Sequence, residues 1–399
     1  MTRTTSRTRT ASRTRTAGIL ATALSGFLGA AFAFGAAPAA AAENAPPSWE
    51  SAALGLPSAQ RGGAQGEGVT VAVLDSGVNR SHPALKGRVT KVSPDIFDSD
   101  GLKEGDAKYG IHGTAMASDV LKVAPKAKII SARVIDDIPA GEEKGDGPQR
   151  QKGGKSAAAQ GIDFAVENGA DVISMSFGSV LFPDLDEDET AAIGRALQAG
   201  ITLVAAPGNS GGKYGLNDGN FPAGYAGVIS VAATTPGGGR AEFSTMRTHN
   251  TVAAPGVRIA SAKNTGGYYA IDGTSPAAAL TSGVVALMRA KNPELTPAQV
   301  RSILMRTAKR PPGGHNPLVG AGQVNAAAAV RAAGSPPKVA AGPVAYKGKK
   351  TMAAPSDVSK FKHPALETEL VTAGGAAAGV GVLAVLLGWL LLRKRRAAV

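Results

Sequence analysis

Apolar runs of strand length recur through the middle of this 399-residue chain, alternating with segments of helical spacing. Val69–Leu74 reads Val-Thr-Val-Ala-Val-Leu, and Ala127–Ile135, Ala170–Gly178, Ile201–Ala206, Val228–Thr234 and Val252–Ala262 are its counterparts. Runs that are apolar at consecutive rather than alternate positions predict strands buried on both faces. Between them, Ser156–Asn168 carries Ile162, Ala165 and Val166 at helical spacing and stops at Gly169. Asp184–Glu189 opens a helix through Leu197, with acidic residues at the positive end of its dipole. Thr296–Ala308 starts with a threonine cap and Pro297 at the first helical position, and Gly322–Ala332 is a last short helix. Such alternation predicts an α/β domain whose mostly parallel sheet is covered on both faces.

The ends read differently. Met1–Thr16 carries five arginines and no acid, Ala17–Gly35 is apolar, and small residues run from Ala36 to Ala42. That is the pattern of a secretory signal peptide over 1–42. A polar lead-in (43–64) precedes the domain (65–332), and a Pro/Ala/Lys-rich stalk (333–369) follows it. Leu370–Leu392 is 23 residues without a charge, which predicts a transmembrane helix; the basic tail (393–399) predicts a cytoplasmic C-terminus. The chain is therefore expected at the cell membrane, single-pass, with its domain outside.

The formal net charge of +13 suggests a nucleic-acid partner until it is located. Residues 1–16 contribute +5 and residues 331–399 contribute +8, whereas 17–330 hold 27 basic and 27 acidic residues. The body is neutral, so nucleic acid loses its support as a partner. With no cysteine there is no disulfide framework, no thiol nucleophile and no thiolate metal ligand. Asp95, Asp98, Asp100, Glu104 and Asp106 crowd one loop but lack the order of a calcium-binding loop, and they read as solvated. His82, His249, His315 and His363 have no motif around them and are placed on loops or at the surface.

Three polar residues remain beside glycines. Asp75 ends the first strand in Asp-Ser-Gly; His112 opens a small-residue helix, His-Gly-Thr-Ala-Met-Ala; Ser275 stands in Gly-Thr-Ser at the head of a long small-residue helix. Locally, Ser275 reads as an N-cap, with Pro276 at the first helical position and Gly273 allowing a tight turn into it. A nucleophile in that place would also need a base, an acid to orient it and oxyanion donors. The order Asp, His, Ser differs from the Ser, acid, His order of α/β-hydrolase esterases, and Gly-x-Ser-x-Gly is missing.

In that order the chain resembles the subtilisin-like serine proteases, over about residues 65–332. The resemblance rests on Val71–Gly77, His112–Ala117, Ser174–Gly178, Ala206–Gly211 and Gly273–Ser275 together. It implies a three-layer subtilisin-like fold and a serine endopeptidase with no cofactor. Ser275 would attack the scissile carbonyl, His112 would move its proton and Asp75 would orient the imidazole. Asn209 would donate to the oxyanion, and Ser174, Met175, Ser176, Phe177 and Gly178 would pair with an extended polypeptide substrate. The layout of signal peptide, short lead-in, stalk and terminal helix is similar to the mycosins, membrane-anchored proteases of type VII secretion, and implies a secretion complex as partner. The chain departs from the family in having Ala279 where a proline is usual and Pro276 instead. A short stretch between His112 and Pro125 also removes the loop that commonly carries calcium, so no metal is carried over. A different expectation for the same layout is a catalytically idle protease fold that braces such a complex.

Overall fold

In a computed structural model of the chain, residues 49–61, 64–94, 96–97, 101–137, 154–178, 186–212, 217, 221–339 and 368–396 are described. The signal-peptide segment 1–42, most of the stalk, and Asp95, Asp98, Asp100 and His363 lie outside them. One compact unit runs through Val339 and a second covers 340–399.

The first unit opens with two short helices, α1 (Trp49–Leu54) and α2 (Leu56–Arg61), then β1 (Thr70–Asp75), β2 (Val89–Val92), α3 (Ile111–Val123) and β3 (Lys128–Arg133). It continues with α4 (Ala157–Glu167), β4 (Val172–Met175), α5 (Glu187–Gln198), β5 (Thr202–Ala205), β6 (Ile229–Thr234) and β7 (Asn250–Pro255). The antiparallel pair β8 (Ile259–Ala262) and β9 (Tyr268–Ile271) leads into α6 (Thr274–Lys291), followed by α7 (Pro297–Thr307) and α8 (Ala326–Ala333). The second unit is described by α9 (Thr368–Arg396).

Seven strands form one parallel sheet in the order β2-β3-β1-β4-β5-β6-β7. The two-residue period of a strand divides its side chains between two cores. Val71 and Val73 of β1 join α3, α6, α7 and α8 on one face, while Ala72 and Leu74 join α4 and α5 on the other. Both faces are dry, which is why the strand sequences are apolar throughout. Helix α6 runs through the larger core with nearly every side chain buried. Gly283 lets it press on α3, since a Cβ there would lie 2.6 Å from that of Val123. Small residues bring helix axes close and hold the head of α6 near the sheet.

Several expectations change. The lead-in is not featureless: α1 and α2 pack on the domain through buried Leu54 and Leu56, and Trp49 Nε1 donates to the Val257 carbonyl at 2.8 Å. Its polar residues masked the pattern, because Glu50 is fully buried against Lys122. Edge strand β2 precedes the acidic loop, whose Glu104 pairs with Arg80. The single strand expected over Val252–Ala262 is two. Gly256 leaves the sheet to hydrogen-bond Gly273 (2.8 Å), and Arg258 has φ 53°, so the chain turns away and β8 pairs with β9 instead. His82 lies on a loop and is buried there, with Nε2 at 3.0 Å from the Gly267 carbonyl.

Helix α9 covers the segment expected as a membrane span. Among the described residues no helix is long and apolar enough to cross a membrane.

Candidate active site

In open parallel sheets, sites form at the carboxyl ends of strands. β1 ends on Asp75, which is 1% exposed. Its carboxylate accepts from the Ser76 N–H at 2.8 Å and from His112 Nδ1 at 2.8 and 3.0 Å. The bond to Nδ1 leaves Nε2 as the lone-pair nitrogen of the neutral ring. His112 is the second residue of α3, and Gly110 (φ 64°) supplies the left-handed turn into the helix. At Gly113 a Cβ would lie 2.0 Å from the Gly77 carbonyl, so only glycine lets the head of α3 meet the turn after β1.

Desolvation opposes charge on His112. The Asp75 carboxylate outweighs it through charge and hydrogen bond, Asp137 and Asp119 add to it, and the imidazole is raised to about 8. Its side chain keeps 34% of its surface exposed, so a substrate can reach it.

Ser275 is not the cap of α6. Gly273 occupies that position in extended backbone without a side-chain cap, Thr274 is the first helical residue, and Pro276 falls third. Pro276 is still within the first turn, where its missing N–H has no intrahelical partner. Freed from capping, Ser275 Oγ donates to the Ser176 carbonyl at 3.0 Å, and Ser176 Oγ returns a bond to the Ser275 carbonyl at 3.1 Å. No hydrogen bond between Ser275 and His112 is present among the described residues.

Asn209 lies in the turn beyond β5, next to Gly208 (φ 104°). Its Oδ1 accepts from the Thr274 N–H at 2.9 Å and from Thr274 Oγ1 at 3.0 Å. A backbone N–H can only donate, so the amide oxygen must face Thr274 and Nδ2 is left to donate elsewhere. The Ser275 N–H at the head of α6 is the second donor of this region, reinforced by the helix dipole.

Of the five residues expected to pair with substrate, Ser174 and Met175 cannot. Both lie inside β4 with β1 on one side and β5 on the other, and both are buried. Sheet pairing consumes their backbone groups, which leaves Ser176, Phe177 and Gly178 beyond the strand end. Sequence reasoning missed Thr274 and Asp137. Asp137 accepts from Ser76 Oγ (2.6 Å) and from the N–H groups of His112 and Ile111 (2.8 Å each). A carboxylate just past a buried strand was the available signal, the same one that marked Asp75. Among the described residues no three histidine or acidic side chains gather as a metal site would require.

The domain that carries these residues is similar to known proteins. The subtilase family profile matches residues 66–322. The thermostable alkaline protease of Halalkalibacterium halodurans is 35% identical over 270 residues, 65% of this chain and 67% of that protein. Among solved structures, fervidolysin from Fervidobacterium pennivorans, a keratinolytic enzyme related to subtilisin, superposes with a TM-score of 0.59 at 31% identity, covering 71% of this chain and 45% of that one. MycP1 from the ESX-1 type VII secretion system gives 0.57 at 27% identity, covering 72% and 86%. Asp75 and His112 thus stand within a matched family domain: the chain belongs to the subtilase family and is a serine-type endopeptidase.

Proposed function

We propose that Ser275 is the nucleophile of this endopeptidase, His112 its general base and acid, and Asp75 the residue that fixes the imidazole. The observation that carries this reading is the bond from His112 Nδ1 to Asp75, which leaves Nε2 as the basic nitrogen of the ring. For the reaction, Ser275 Oγ must leave the Ser176 carbonyl and meet Nε2. Oγ then adds to the scissile carbonyl as Nε2 takes its proton, and the oxyanion receives hydrogen bonds from Asn209 Nδ2 and the Ser275 N–H. Collapse of the adduct expels the amine with the proton from Nε2 and leaves an acyl-enzyme, which water hydrolyses by the same route. The extended substrate lies along Ser176–Gly178.

The substrates are exported polypeptides cut near the membrane. Residues 1–42 read as the export signal, and the uncharged sequence Leu370–Leu392 followed by Arg393–Arg396 supports an anchor. The likeness to MycP1 supports association with a secretion complex. One observation favours an idle scaffold, namely that Ser275 Oγ rests on Ser176 rather than on His112.

Fluorophosphonate labelling of the full chain beside Ser275→Ala, with mass spectrometry of the adduct and fractionation of membranes, tests this. Adduct on Ser275 in the membrane fraction is expected. A folded chain that takes no label refutes the catalytic assignment, and adduct in the soluble fraction refutes the anchor.

A further inference from the structure

We infer that Asp137 is a positioning residue for His112, holding the backbone of the same residue whose ring Asp75 holds. This rests on the reading of Asp75, His112 and Ser275 given above.

A helix exposes N–H donors at its first turn that need partners. α3 has none of the usual local kind, because its cap residue is Gly110. Its partners come instead from the ends of two strands. Asp137, beyond β3, takes the Ile111 N–H on Oδ2 and the His112 N–H on Oδ1, each at 2.8 Å. Ser76, beyond β1, accepts the Gly113 N–H on Oγ at 3.1 Å and donates that hydroxyl to Asp137 at 2.6 Å. The Ser76 N–H donates to Asp75 at 2.8 Å. The two carboxylates are therefore joined through Ser76 and grip opposite ends of His112. Without Asp137 the N–H groups of Ile111 and His112 lose their partner, and the first turn of α3 is held by the Gly113–Ser76 and Thr114–Gly110 bonds further along, which frees the His112 backbone to shift and moves the ring relative to Ser275. A misplacement of about 1 Å can cost about 100-fold in rate.

An ordinary helix cap would affect stability alone. Asp137 also brings negative charge to His112. The charged groups that act on the ring are Asp75 from β1, Asp137 from the segment after β3 and Asp119 from α3 itself, with Tyr269 of β9 close to all three acids. Asp136, one residue earlier, pairs with Arg133 and has no part in this set.

The test compares Asp137→Ala, Asp137→Asn and Asp136→Asn in the full chain. The readouts are melting temperature, kcat and KM on a peptide substrate, and the His112 titration followed by NMR. Asp137→Ala is expected to lower kcat about 100-fold with KM little changed. Asp137→Asn keeps an acceptor for the His112 N–H but removes the charge, so the His112 titration and the acid limb of kcat/KM move together to lower pH. Asp136→Asn leaves both in place. The inference is overturned if both Asp137 variants keep the wild-type kcat and titration, or if Asp136→Asn shifts the titration as far as Asp137→Asn does. Should Asp137→Ala fail to fold, Asp137→Asn decides. Should wild-type Ser275 prove inert, the catalytic assignment fails, yet the NMR titration still reports whether Asp137 holds and charges His112.

Discussion

Thr274→Val isolates the tether that aims the Asn209 amide, the oxyanion donor proposed above. Thr274 is buried, and valine keeps its branched shape while deleting the hydroxyl. Two bonds go: Oγ1 to Asn209 Oδ1 (3.0 Å) and the Gly208 N–H to Oγ1 (3.2 Å). The orphaned Gly208 N–H burdens free enzyme and transition state alike, so it should appear as about 1–3 kcal/mol of lost stability. The Asn209 tether bears on the transition state, where the amide must meet developing charge. One neutral bond is worth about 1–1.5 kcal/mol, and the Thr274 N–H still holds Asn209, so kcat should fall about tenfold with KM unchanged. In subtilisin itself, loss of the matching donor costs about 10²–10³ in kcat. Asn209→Ala should approach that value here and should abolish any further effect of Thr274→Val, because no amide remains to aim. The assay is kcat and KM on a peptide p-nitroanilide for both single variants and the double. A tenfold loss that persists in the Asn209→Ala background, or a loss confined to KM, would refute the tether.

The pH dependence follows from His112. The base must be neutral, so kcat/KM should rise with pH through about 8, and Asp75→Asn should shift that limb to lower pH while cutting kcat by about 10⁴. Its sign for stability is fixed as well: a folded value above the ordinary 6.5 contributes stability that is complete below 6.5 and is lost as pH rises through about 8. Denaturant titrations of wild type and His112→Ala at pH 6 and pH 9 measure that difference. Lys122 sits between two fully buried carboxylates, 2.7 Å from Glu50 and 3.2 Å from Asp119, whose burial raises its own carboxyl to about 6. Lys122→Met should destabilise by about 3–5 kcal/mol, since the carboxylates would face each other without a cation. A loss under about 1 kcal/mol by urea unfolding would show that the cluster has no such role.

The sequence by itself determined the layers and the local frames. Consecutive apolar residues in Val71–Leu74 require a strand dry on both faces, and small residues around Ala277–Gly283 require a helix that packs closely. These are short-range rules, met within one turn or one strand. Family motifs added which polar residues matter, and Asp75 and His112 meet as the resemblance implies. What the sequence left open depends on partners distant along the chain. Ser174 and Met175 look like any strand end until β1 and β5 flank them. Glu50 reads as a polar lead-in residue until Lys122 receives it, 72 positions later. Asp137 reads as surface charge until the register of β1 and β3 delivers it under the first turn of α3. Hydrogen bonds to backbone N–H groups carry no side-chain signature, so only the tertiary structure could decide that two carboxylates, rather than one, hold His112.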